Sequence, residues 1–219
     1  MSTSREQVDA GHAVYTKSLL RLYDLCVLGL SARLIWRCPA AHILDLYQRY
    51  ATSNHLDVGV GTGFFVDRCV WPSKHPRIAL MDVNPNCLDV ARRRIARYSP
   101  EVYRANVLDP LPLIIKKFDS ISLSWVLHCL PGTILTKAAV IEHLKALLNP
   151  GGVIFGATIL NGGVRHNPVS RRFMSVYNVR GIFTNLRDDV AGLTKVLAEC
   201  LHSTKIEVVG SCALFSGRV

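Results

Sequence analysis

The residues best suited to chemistry are concentrated in the stretch His55-Leu-Asp-Val-Gly-Val-Gly-Thr-Gly63. An apolar run carrying Asp57 passes into a loop with glycine at every second position, Gly59, Gly61 and Gly63, and a helix is expected from Phe64. Glycines let a backbone turn sharply and approach a ligand, and a helix N-terminus favours an anionic group. The spacing is G-x-G-x-G, not the G-x-G-x-x-G of dinucleotide binders, and a tight strand–helix turn without a ligand is the plain alternative. The next apolar run, Arg77–Met81, leads into Asp82. A carboxylate at such a strand end can accept hydrogen bonds from both hydroxyls of a ribose and would repel a 2′-phosphate. A solvated acid explains Asp82 alone. Paired with the glycine loop, ribose binding is the better reading.

Five segments, in order, resemble the motifs of the class I S-adenosylmethionine-dependent methyltransferases, and the resemblance covers His55 to Val219. Asp57–Gly63 looks like that family's first motif and Met81–Asn84 like its second. Arg104–Pro112 is similar to the segment after the third strand, Phe118–His128 to the fourth-strand motif, and Leu148–Gly152 to the turn before the fifth strand. The resemblance implies an α/β fold of the Rossmann-like methyltransferase kind. Its sheet would be seven-stranded and mostly parallel, with the last strand inserted antiparallel and helices on both faces. S-adenosylmethionine would lie across the carboxyl ends of the strands. Its methionine part would meet the Asp57, Gly59, Val60, Gly61 and Gly63 segment, with its ribose at Asp82. Its adenine would sit between Val83 and the Asn106–Val107 pair, and Ser124 would close the fourth-strand side. The family commonly has an acid where Asn106 stands. An amide oxygen can accept the same hydrogen bond, and Asp109 is the rival position.

Methyl transfer from a sulfonium is an in-line displacement, so the protein's main task is to align acceptor and methyl and exclude water. A general base helps when the acceptor is a hydroxyl. His128, four residues past Ser124, is the candidate base, set against a role in packing the following helix. His166 is a second candidate on the acceptor side, and Trp125 is a candidate for the acceptor wall. No pair of histidines or carboxylates has helical ligand spacing, so no metal site is expected.

These residues need a frame to hold them. The chain has 219 residues, 49% of them hydrophobic and 19% charged, enough apolar content for a sizeable core. From His55 onward, strand candidates alternate with helix candidates, which implies parallel strands joined by right-handed crossovers. The strands expected are 55–58, 77–81, 102–105, 120–124, 153–159, 205–209 and 213–217, the last two as an antiparallel hairpin. The helices expected are 64–69, 85–98, 134–148 and 186–201. Residues 161–180 read as an irregular basic segment. Residues 1–51 are expected to form a helical lid over a core at 52–219. Leu19, Leu22, Cys26, Leu30 and Leu34 are the lid's apolar stripe, and Tyr15, Tyr23 and Trp36 are candidates to line an acceptor site.

The net charge of +10 permits an acidic partner. However, Arg92, Arg93, Arg94 and Arg97 fall on a helix that reads as a solvated face, and no RNA-binding module is visible. The seven cysteines include no C-x-x-C pair, so reduced thiols in a cytoplasmic protein are expected. The N-terminus lacks an apolar secretory core, and the apolar stretch 19–36 is broken by charges, so no membrane span is expected. The function expected is methylation of a small, apolar or aromatic acceptor. Methylation of RNA or protein, and a catalytically silent partner subunit, are the alternatives.

Overall fold

The computed structural model describes residues 24–111 and 115–219. Tyr15, Tyr23, Leu19 and Leu22 lie outside the described residues. A single sheet in the order β3-β2-β1-β4-β5-β7-β6 runs through the molecule. Its strands are β1 (Asn54–Val58), β2 (Arg77–Asp82), β3 (Glu101–Arg104), β4 (Phe118–Ser124), β5 (Leu148–Ile159), β6 (His202–Val209) and β7 (Cys212–Arg218). The first five pair in parallel. β7 is antiparallel to β5 and to β6, and it is inserted between them.

The central strands are buried on both faces, and their side chains divide with a period of two. Leu56 and Val58 of β1 face one core, with Ile121, Leu123 and Phe215. That core is covered by α5 (Ala138–Lys145) and α7 (Val190–Cys200). Ile78, Leu80, Phe155 and Leu214 face the other core. It is covered by α2 (Ala40–Tyr50), α3 (Phe64–Arg68) and α4 (Pro85–Arg94). Strand order reverses between β1 and β4, so a crevice opens at their carboxyl ends, where open α/β sheets bind ligands.

Three expectations need correction. Residues 40–51 belong to the core, not to a lid: Ile43, Leu46 and Tyr47 of α2 are buried among β2, β5 and β7 residues, and Tyr47 hydrogen-bonds Asp57 of β1. Within 161–180 the chain forms a helix, α6 (Pro168–Val179). Pro168 opens it, and the Asn167 side chain accepts the Ser170 N–H at 2.7 Å. Asn-Pro is a recognised helix start, so the signal was there. The first described helix, α1 (Asp24–Ile35), is π-wound. Its inward positions are Leu28 and Ala32, with Trp36 following, whereas Leu30 and Leu34 are 55% and 63% exposed. The inward set keeps the four-residue spacing of the expected stripe but is shifted by two positions, so the stripe had the spacing and the wrong face.

Candidate active site

A cavity occupies the crevice. Its floor is the glycine loop, with Gly59, Val60, Gly61 and Thr62 between β1 and α3. On one side stand Asp82, Val83 and Asn84 at the end of β2, and on the other Ser124, Trp125 and Val126 at the end of β4. Leu28 of α1, Cys129 and Leu130 add apolar lining.

The loop conformation is set by its glycines. Gly59 has φ +69 and Gly61 φ +51, both in the left-handed region where side chains are strained. A Cβ on Gly59 would stand 2.1 Å from Val126 Cγ2, so this glycine lets the loop meet the β4 end. A Cβ on Gly61 would have nothing within 4 Å. Gly61 thus presents bare backbone to open space beside the cavity. Gly63 does not line the cavity. It caps α3, and a Cβ there would stand 3.0 Å from that of Ala91 on α4.

The acids are held by different means. Asp57 is buried, accepting a 2.5 Å hydrogen bond from the Tyr47 hydroxyl at Oδ1 and another from the Ser122 hydroxyl. Burial pushes its carboxyl up to about 6, against those hydroxyls, with Asp82 adding a further upward push. Asp82 accepts the Asn84 N–H at 2.8 Å, a local turn that orients it at the strand end. Asn84 in turn caps α4 by accepting the Asn86 N–H at 2.9 Å. The Cys129 thiol is pushed up to about 12 by burial, which keeps it neutral.

Among the described residues, two cavity atoms, Ser124 Oγ and Trp125 Nε1, are buried with no hydrogen-bond partner. Trp125 also has φ +61, fixed by its N–H donating to the Ala157 carbonyl at 2.7 Å. Unpaired buried polar atoms and left-handed backbone at a bulky residue are both costly, and both accumulate where ligands bind.

Residues 56–154 match the family model described as a methyltransferase domain. The demethylluteothin O-methyltransferase of Streptomyces thioluteus is 42% identical, the match covering 89% of this chain and 84% of that protein. The physcion biosynthesis cluster O-methyltransferase of Aspergillus chevalieri is 37% identical over 94% of each chain. Among solved structures, the DhpI–SAH complex superposes with a TM-score of 0.70 at 15% identity, covering 99% of this chain and 98% of that one. The chain belongs to the class I S-adenosylmethionine-dependent methyltransferases.

The cavity suits that cofactor. S-adenosylmethionine carries positive sulfur and nitrogen, ribose hydroxyls and a flat base. The methyltransferase offers two carboxylates, a cradle at Gly61 that any side chain would fill, and orphaned polar atoms at Ser124 and Trp125.

Several expected site residues lie elsewhere. Asn106 turns back on its own loop, its Oδ1 accepting the Leu108 N–H at 3.1 Å, and Val107 is buried in the core, so neither lines the cavity. Asp109 is exposed. Trp36 is 2% exposed and packs on Tyr177 and Phe183, away from the cavity wall. His166 tethers the chain before α6, its Nε2 3.0 Å from the Leu160 carbonyl and its Nδ1 3.2 Å from the Ser170 and Ser211 hydroxyls.

His128 is also off the cavity wall. It is 3% exposed, and its Nδ1 accepts the Ile159 N–H at 3.3 Å. Its ring lies 4.5 Å from that of Phe183. Burial, reinforced by the Lys137 charge, lowers its pKa to about 3. A ring that stays neutral and already uses a lone pair internally is placed for packing, not for proton transfer.

Sequence reading missed how the floor is braced. Arg94, assigned to a solvated face, reaches over Gly63: Nη1 donates to the Thr62 hydroxyl at 2.9 Å and Nη2 to Asp24 at 2.5 Å. Asp24 accepts from the Thr62 hydroxyl as well, at 2.5 Å. The latch ties α1 to the glycine loop. A run of three arginines on one helix did not reveal which of them turns inward.

Proposed function

We propose that this methyltransferase transfers the methyl group of S-adenosylmethionine to a hydroxyl oxygen of a small, apolar or aromatic molecule. The observation that carries the reading is the polarity of the cavity. Its lining combines polar side chains, Asp57, Asp82, Asn84 and Ser124, with apolar ones, Leu28, Phe64, Val126 and Leu130. Both relatives described above are named O-methyltransferases, which supports oxygen as the acceptor atom.

In this reading Asp82 accepts from the ribose hydroxyls and Val83 packs beside the base. Gly59 and Gly61 let the loop backbone approach the methionine part. The bound cofactor supplies a methyl already activated by its positive sulfur. Asp57, ionised above about pH 6, favours the cationic end electrostatically. The apolar wall would orient the acceptor oxygen for in-line approach to the cofactor's methyl group and exclude water from it. The acceptor hydroxyl would lose its proton to bulk water before it enters the cavity, so that the oxyanion is the reacting species and no protein base is needed. Catalysis rests on alignment, and His128 packs the turn behind the wall. Helix α1, carrying Leu28, acts as cover over the acceptor end.

The test is to supply S-adenosylmethionine with 1-naphthol or 1-naphthylamine and identify the products by mass spectrometry. The expected product is the methyl ether of the naphthol. Methylation of the amine alone would overturn oxygen as the acceptor atom. Turnover confined to polynucleotide or protein substrates would overturn the small-molecule reading.

A further inference from the structure

A second cavity, of about 810 Å³, lies between α6, the 181–187 loop and the chain leaving β4 and β5. It shares no lining residue with the cofactor cavity. The turn Leu127–Cys129 stands between them: Cys129 lines the first cavity, while the His128 carbonyl accepts the Thr184 N–H at 2.8 Å behind the second. Its volume is within the range of small-molecule sites.

The walls are built from costly parts. Lys137 and Asp188, each with a side chain 1% exposed, form an ion pair at 2.6 Å. Lys137 also donates to the Thr184 carbonyl at 2.8 Å, and Asp188 accepts the Ile134 N–H at 2.7 Å. Asn178 and Asn185 exchange hydrogen bonds at 2.9 and 3.1 Å, and Asn185 reaches the Ile159 carbonyl at 2.9 Å. Burying a charge pair seldom adds net stability, so its plainer effect is to hold one loop geometry. Here the geometry held is a cavity wall.

The cavity surface is mixed. Met174, Val179, Phe183 and Leu186 give it an apolar side. Arg171 and Arg187 also line it, and among the described residues neither guanidinium has an ion pair or hydrogen bond. Asp189, two residues after Arg187, is engaged with the Gly192 N–H at 2.6 Å. Two free planar forks beside an aromatic and aliphatic surface match one ligand type, because guanidinium pairs with carboxylate in bidentate fashion.

We propose that this second cavity binds a small aromatic carboxylic acid, its carboxylate held by Arg171 and Arg187 and its ring covered by Phe183 and Met174. The site stands independently of the acceptor assigned to the cofactor cavity, because its readout is binding and not turnover.

The test is calorimetric titration of the full chain with benzoate, using benzyl alcohol and inorganic phosphate as comparison ligands. Benzoate should bind saturably, and each comparison ligand at least about tenfold more weakly, since one lacks the charge and the other the ring. Arg171→Gln with Arg187→Gln should abolish benzoate binding. Ser175→Trp, at an exposed lining position, should narrow the cavity and weaken benzoate binding. Both variants should bind S-adenosylhomocysteine as the wild type does, which shows that they are folded. Benzoate binding that survives the double arginine variant would overturn the proposal. Phosphate binding as tightly as benzoate would overturn the ligand class, and no saturable benzoate binding would overturn the site.

Discussion

The Tyr47 hydroxyl donates a 2.5 Å hydrogen bond to Oδ1 of Asp57, joining helix α2 to the strand that feeds the glycine loop. Ser122 donates to the same oxygen and also meets His55 Nε2 at 3.0 Å, so a buried polar chain runs behind the cavity floor. Burial raises the Asp57 carboxyl to about 6. A carboxyl raised above its unfolded value contributes stability that is complete below about pH 4 and lost as pH rises through about 6. Asp57→Asn removes that loss, and its amide oxygen can still accept both hydroxyls. In urea melts of ligand-free protein, the variant should gain on the wild type between pH 4 and pH 8, by on the order of 2–3 kcal/mol. Parallel pH profiles would show that Asp57 titrates as it does in the unfolded chain.

Gly61 and Gly59 make a contrasting pair. An added Cβ at Gly61 meets no atom within 4 Å, whereas at Gly59 it meets Val126 at 2.1 Å. Gly61→Ala should cost only the left-handed strain, about 1–2 kcal/mol, yet weaken S-adenosylmethionine binding about tenfold or more by filling the cradle, a loss of about 1.4 kcal/mol. Gly59→Ala should destabilise the fold further, because Val126 must move. Thermal melts and calorimetry on the two variants separate these effects. A Gly61→Ala protein with wild-type affinity would remove the ligand from that side of the loop.

The Asp24–Arg94 latch should act on the cofactor through Thr62. Arg94 and Asp24 side chains are 30% and 25% exposed, so solvent screens the pair and its stability share is about 1 kcal/mol or less. Arg94→Gln should nevertheless raise the KM for S-adenosylmethionine severalfold by freeing both α1 and the loop, while kcat at saturation changes less. Asp24→Asn should do the same, and the two together should add little more, since both break one contact. Full additivity would mean that the two residues act separately.

What the sequence made legible was what local pattern encodes. The glycine loop, the strand-end acid at Asp82 and the alternation of strands and helices are contiguous signals, and residues of each line the cavity. Two residues whose roles the sequence did not reveal, Trp36 and Tyr47, depend on distant partners. Trp36 is an aromatic on an apolar helix by sequence, and it is drawn into the core by Tyr177 and Phe183, more than a hundred residues on. Tyr47 carries no motif, and its role follows only from α2 packing over β1. Asn106 sits where the family places an acid, but an Asn after a strand readily folds onto its own backbone, as it does here.

His128 decides whether catalysis uses a protein base. Its pKa is lowered to about 3, first by burial and then by the Lys137 charge. A base lowered below its unfolded value of about 6.5 contributes stability that is present above that pH and lost as pH falls towards 3. His55, lowered to about 3 in the same way, adds to the loss. The protein should therefore unfold in acid, and His128→Gln, which keeps an acceptor for the Ile159 N–H, should move that transition to lower pH. Its methyl-transfer rate at pH 8 should stay within about tenfold of the wild type, against the 10²–10⁴-fold expected for loss of a general base. The pH–rate profile of the variant should match that of the wild type wherever both are folded, because any fall near pH 6 comes from Asp57 and the acceptor and not from His128. A fall of about a thousandfold in a variant that melts normally would return the base role to His128. It would also require Nε2 to reach the acceptor past the Cys129 wall once cofactor is bound.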